Sequence, residues 1–145
     1  MDEVFDRYYN LTLRFLSFRP RSEKEVKDYL EKKFRKSPNE NLVSLILKKL
    51  KEKNFLNDLE FAKWWIENRK KGIRLIKLEL FGKGISKETI EEACSMFDIV
   101  GKENRLLEKL IDKKKNLTYE KLIAYLLRRG FDYDTIRGAL KKTDR

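Results

Sequence analysis

Apolar residues recur along this chain at helical spacing, and the stripes are broken by short polar segments that carry capping residues. Phe5, Tyr8, Tyr9, Phe15 and Leu16 mark a first helix over residues 3–18. In "PRSEKEV", Ser22 with Glu25 three residues on is a capping box, and Val26, Tyr29, Leu30 and Phe34 follow as the inward face of a second helix. "KSPNE" predicts a second box, with Ser37 capping, Pro38 in the first helical position and Glu40 closing it, before the stripe Val43, Ile46, Leu47 and Leu50. Asp58 is the expected cap of a fourth helix carrying Phe61, Ala62, Trp65 and Ile66, which ends in "RKKG" at Gly72. A short fifth helix turns Ile73, Ile76 and Leu80 inward and stops at Gly-Lys-Gly. Ser86 caps a sixth, with Ile90, Ala93, Cys94 and Phe97. Leu107, Leu110 and Ile111 mark a seventh, Thr118 caps an eighth with Leu122, Tyr125 and Leu126, and Asp132 caps a ninth with Ile136, Ala139 and Leu140.

The pattern repeats. "IKLELFGKGISKETIEEAC" (76–94) lies over "LIAYLLRRGFDYDTIRGAL" (122–140) without a gap, at an offset of 46 residues. Leu80 meets Leu126, Gly84 meets Gly130, Ser86 meets Asp132, Ile90 meets Ile136 and Ala93 meets Ala139. "VKDYLEKKF" (26–34) is a looser copy, with Phe34 in the glycine position. The expected architecture is therefore all-α: three tandem three-helix repeats, over 1–56, 57–100 and 101–145, forming an elongated, curved array. The same register explains Gly84 as a helix C-cap in a left-handed conformation, so Gly-Lys-Gly is not a phosphate loop; the longer glycine frame and the strand that such loops need are missing. Cys94 falls where Leu140 falls and reads as core, not as a nucleophile. Trp65 continues the inward stripe, whereas Trp64, about 100° around the helix, either packs between repeats or is partly exposed.

Composition narrows the chemistry. The chain has no His and one Cys among 145 residues, which excludes an internal disulfide, His-dependent acid–base catalysis and ordinary zinc sites. Its acids alternate with bases at i,i+4, as in "EKEVKDYLEKK", which reads as solvated helix surface. Neither a catalytic constellation nor a cofactor or metal is expected. No run is apolar enough for a bilayer, and "MDEVFDRYYN" lacks the basic start and apolar core of a signal peptide, so a cytoplasmic protein without membrane contact is expected.

The net charge is +11, and it sits at both ends: net +5 over 1–56, 0 over 57–100 and +6 over 101–145. Such a balance suits polyanions. Arg69, Lys70, Lys71, Arg74 and Lys77 crowd one helix–helix corner, and Lys83, Arg128 and Arg129 hold corresponding ends of the fifth and eighth helices. These eight are candidates for contact with a partner or with phosphates, against the plainer reading of a solvated face.

The segment "FLNDLEFAKWWIENRKKGIRLIKLELFGKGI" (55–85) and the upstream "RPRSEKEVKDYL" resemble the RecX family of bacterial recombination regulators. The likeness rests on Leu56-Asn57-Asp58, Phe61-Ala62, Trp65, Arg69, Gly72, Arg74, Ile76, Glu79-Leu80 and Lys83-Gly84-Ile85, and with the repeat layout it covers nearly the whole chain. The resemblance implies a protein that lies along the RecA filament on single-stranded DNA and inhibits its ATPase, strand-exchange and co-protease activities. It implies RecA as partner, and leaves open whether the basic residues meet acidic RecA surface, the phosphates of single- or double-stranded DNA, or both; a monomer is expected. The competing reading is a stand-alone basic helical DNA-binding module, although no helix offers a clear Arg/Asn/Gln set for reading base edges.

Overall fold

The computed structural model describes residues 2–34 and 39–142. Among them every regular element is a helix: α1 (Asp2–Phe18), α2 (Glu23–Phe34), α3 (Glu40–Glu52), α4 (Asp58–Asn68), α5 (Ile73–Gly82), α6 (Lys87–Cys94), α7 (Ile99–Lys113), α8 (Tyr119–Arg128) and α9 (Tyr133–Lys142). The helices fall into three consecutive groups of three, because each group closes its own apolar core. Val26, Leu30, Ile46 and Leu50 centre the first, Phe61, Ile66, Leu80 and Ile90 the second, and Leu107, Leu126, Phe131 and Ile136 the third. The stripes predicted for α3, α4, α7 and α9 are buried throughout, and those of α5 and α8 are buried except at Ile73 and Tyr125, which are half-covered. Those of α1 are less enclosed: only Tyr9 is buried, and Phe5, Tyr8, Phe15 and Leu16 pack half-covered, Phe15 stacking on Tyr29 with ring centroids 4.2 Å apart. Cys94 is half-buried against the middle core, and burial pushes its thiol pKa up, away from reactivity. Trp64 is half-buried as well; it packs on the middle core and also lines a groove with Pro20, Arg21 and Phe55.

The caps separate what local sequence dictates from what neighbours decide. Ser22 and Glu25 form the expected box: the Ser22 N–H donates to Glu25 Oε1 at 3.0 Å and the Glu25 N–H to Ser22 Oγ at 3.2 Å. Ser86, Thr118 and Asp132 cap α6, α8 and α9 through the backbone N–H three residues on. Asp98 does the same for α7, at Gly101, a cap that the apolar pattern did not point to. Three expectations are corrected. Ser37 and Pro38 lie outside the described residues, and α3 is capped by Asn39, whose side chain accepts from the Leu42 N–H, leaving Glu40 as the first helical residue instead of the closer of a box. Asn57, not Asp58, caps α4, accepting from the Glu60 N–H at 3.1 Å. Gly72 does not end α4: that helix stops at Asn68 with Arg69 extended behind it, and Gly72 occupies the N-cap of α5.

Asp58 and Gly72 are displaced from their expected roles because both serve the joints between groups. The Asp58 carboxylate reaches back to accept the first N–H of α2, from Glu23, at 2.9 Å, and the N-cap hydroxyl of Ser22 donates to the Lys83 carbonyl at 2.7 Å. At the second joint, Glu103 of α7 accepts the first N–H of α5, from Ile73, at 2.8 Å, and the Gly72 N–H donates to the Arg129 carbonyl at 2.7 Å. Residues 83 and 129 are matched by the 46-residue offset. The two joints therefore use the same device: a middle helix starts on the last turn of the next group's middle helix, and a carboxylate from that group's first helix satisfies its leading N–H. Gly84 and Gly130, with φ of +83° and +96°, make these last turns. A Cβ on Gly72 would stand 2.2 Å from the Gly130 carbonyl oxygen, so this junction closes backbone to backbone.

Candidate functional site

The eight candidate cations are drawn into different surroundings. Two of them, Arg69 and Lys83, lie against the ring of Trp65. This ring is buried by the middle core, and its Nε1–H donates to Glu79 Oε1 at 3.0 Å. The Arg69 guanidinium lies 3.7 Å from the ring centroid, Lys83 Nζ lies 5.4 Å from it, and Arg19 approaches from the first group at 5.6 Å. Lys71 pairs with the other oxygen of Glu79, and Lys83 pairs with Glu25 at 3.2 Å. Glu25 thus collects Arg19, Lys83 and the Ser22 N–H on one carboxylate that is largely covered. Arg69 and Lys71 are therefore engaged within the second group, and Lys83, through Glu25, ties it to the first. Glu79 and Glu25 balance the charges of Lys71 and Lys83.

Lys70 and Arg129 face a different region. An Arg129 Nη2–H donates to the Lys70 carbonyl, drawing the end of α8 onto the α4–α5 connection. Both side chains line an open groove of about 590 Å³ between the end of α4 and helices α7 and α8. Arg69, Lys102, Arg105, Lys109, Lys113 and Lys114 complete a wall of eight cations facing a single carboxylate, Glu67. Lys102 is held on the groove by a hydrogen bond to the Glu67 carbonyl at 3.2 Å, and Lys114 sits 5.1 Å from the centroid of Tyr125. Arg105, Lys109 and Lys113 are exposed. At spacings of three or four residues they form one face of α7, and this face was missed when the basic residues were sought at helix corners. The signal was available: 102, 105, 109 and 113 fall on one helical stripe in the third of the chain with the largest net charge.

Arg74, Lys77 and Arg128 are exposed. The first two belong to neither cluster. They flank a shelf on α5 and α6 together with Leu78, Phe81 and Lys87. The structure thus divides the predicted corner into a structural knot around Trp65, a cationic groove and a mixed apolar–basic shelf.

Fold and surface together define a helical protein built from three-helix groups with a cationic groove. The chain belongs to the RecX family. The description "RecX, first three-helix domain" matches residues 9–34 and "RecX, second three-helix domain" matches residues 57–93. The Regulatory protein RecX of Oceanobacillus iheyensis is 34% identical over 98% of this chain, and that of Bacillus subtilis is 36% identical over 99%. The chain spans 55% and 57% of the length of those two relatives. The crystal structure of RecX from Lactobacillus salivarius is 30% identical, covers 99% of both chains and superposes with a TM-score of 0.77. Among the described residues no helix is long and apolar enough to cross a membrane.

Proposed function

We propose that this chain is a regulator of recombination that binds the RecA filament on single-stranded DNA and inhibits its ATP hydrolysis, strand exchange and co-protease activity. Membership of the RecX family supports the class of activity, and the groove with eight cations against one carboxylate is the observation that carries the binding mode. Phosphates or acidic side chains arrayed along a filament would meet Arg105, Lys109 and Lys113 in succession, while Lys70, Arg74, Lys77, Arg128 and Arg129 extend the positive surface around the α5 and α8 ends. Arg69, Lys71 and Lys83 act behind them by fixing the corner. The three groups, 1–56, 57–100 and 101–145, form on this reading an elongated, curved array of one repeated unit. An array can touch several filament subunits at once, and each added contact is made at high effective concentration. The protein works as a cytoplasmic monomer without a cofactor.

The test is a titration of RecA ATPase on single-stranded DNA with the wild-type protein and the triple variant R105A/K109A/K113A. Each exposed contact contributes up to about 1 kcal/mol, so the triple variant should inhibit roughly tenfold less well or worse, with helicity and thermal midpoint unchanged. Equal inhibition by the two proteins would remove the groove from the binding mode. Equal affinity of the wild-type protein for bare and RecA-coated DNA would favour a stand-alone DNA-binding module.

A further inference from the structure

The outer face of α5 carries Leu78 and Phe81 at 68% and 70% exposure, one helical turn apart. With Ile90 of α6 they line a groove of about 520 Å³, rimmed by Arg74, Lys77 and Lys87 and by one acid, Glu91. The fold does not require apolar residues there. In the register that sets Phe34 over Gly84, the corresponding positions of α2 are Asp28 and Glu31. In the 46-residue register the positions on α8 hold Ala124 and Leu127, so at these positions α5 alone of the three middle helices sets two large exposed apolar side chains one turn apart.

We infer that this shelf is the docking site for an amphipathic helical segment of the partner protein, with apolar anchors about one turn apart and carboxylates beside them. The inference rests on the proposed function, and the segment then belongs to a RecA subunit. Charge decides between occupants. A second copy of this chain would bring its own Arg74, Lys77 and Lys87 against the same three cations, with only Glu91 to offset them. A nucleic-acid backbone would satisfy the rim but leave Leu78 and Phe81 without an apolar partner. An acidic amphipathic helix satisfies both, burying the two side chains while its carboxylates meet the rim. Leu78 and Phe81 then supply a salt-resistant share of binding, complementing the salt-sensitive contacts of the rim and of the α7 groove.

The experiment measures binding of the full chain, as wild type, L78S/F81S and R105A/K109A/K113A, to RecA-coated and to bare single-stranded DNA, at low and high salt. For L78S/F81S, affinity for the coated filament should drop at least about tenfold. The drop should be as large at high salt, with circular dichroism and bare-DNA binding unchanged. Unchanged filament affinity in the folded double variant overturns the inference; if the groove variant still loses binding, the proposed function stands without it. An equal loss on bare DNA identifies a nucleic-acid occupant, and a fall in the sedimenting mass of the free protein identifies a second copy; either result overturns the inference. No filament binding by the wild type removes the proposed function and this occupant together. Were the double variant to misfold, Phe81→Ser alone carries the same test.

Discussion

Gly130 and Gly82 both lie at the end of a middle helix, but they answer to different constraints. Gly130 has φ of +96°, and a Cβ there would stand 2.5 Å from Leu75 Cβ in the preceding group. Gly82 is helical, and a Cβ would meet nothing within 4 Å. Gly130→Ala should therefore cost about 1–3 kcal/mol through backbone strain and the displaced joint, whereas Gly82→Ala should stabilise by about 0.4–1 kcal/mol by restricting the unfolded chain. Chemical denaturation of the two variants measures both. Equal effects would mean that the joint yields at no cost. The sequence register already paired Gly130 with Gly84, because a left-handed turn after a helix leaves a local signature. The contact with Leu75 was hidden, since nothing local says which group a glycine will face. Phe34, in the same slot of the first group, packs instead on Tyr8, at a centroid distance of 4.3 Å.

At the scale of the element, the informative helix is α2, whose N-terminus is held by the Ser22–Glu25 box. Burial favours the neutral form of Glu25, but hydrogen bonds from Arg19, the Ser22 N–H and Lys83 outweigh it and hold the carboxyl below its ordinary range. A carboxyl depressed by folding stabilises the protein above its unfolded value, and that contribution disappears as pH falls through the lower folded value. Glu25→Gln should lower stability at neutral pH by about 1–3 kcal/mol, with the gap to wild type narrowing toward about pH 3. Urea midpoints at the two pH values check it; a gap that stayed constant would show that the charge of Glu25 is immaterial. Asp58 and Glu103 have the opposite sign: burial raises both, so their contribution weakens as pH rises through their folded values. The helices themselves were legible from periodicity, yet three start or stop positions were misread. In "LND" Asn57 and Asp58 are equally able to cap, and in "SPN" so are Ser37 and Asn39; at Asp58 the selecting group is an N–H of α2. Gly72 looks like a helix terminator, but what requires glycine is the Gly130 backbone. Such choices are made by tertiary partners, which periodicity cannot see.

For the whole molecule, uneven charge decides how binding responds to solution conditions. Lys71 and Lys83 are paired internally with Glu79 and Glu25, while the cations of the α7 groove, Arg69 among them, face one acid. On the proposed function, inhibition of RecA by the wild-type protein should accordingly weaken as salt rises, and R105A/K109A/K113A should show a flatter dependence. Inhibition curves at several salt concentrations give the two slopes; parallel slopes would place the salt-sensitive contacts outside the groove. The candidate site was half legible in the same way: clusters of Lys and Arg stand out in the sequence, but whether a cation is occupied by Glu79 or free to meet a partner depends on side chains far along the chain.

The joints also impose an order on events during synthesis. The start of α2 waits for Asp58 and for the Lys83 carbonyl, and the start of α5 waits for Glu103 and for that of Arg129. A ribosome delivers these partners tens of residues later, so each group emerges with its middle helix incompletely anchored and is secured only when the next has left the tunnel. Protease resistance of stalled nascent chains should rise in steps set by the emergence of residues 84 and 130, not by completion of the first or second group alone. The chain is in this sense fastened backwards, each new section locking the one before it.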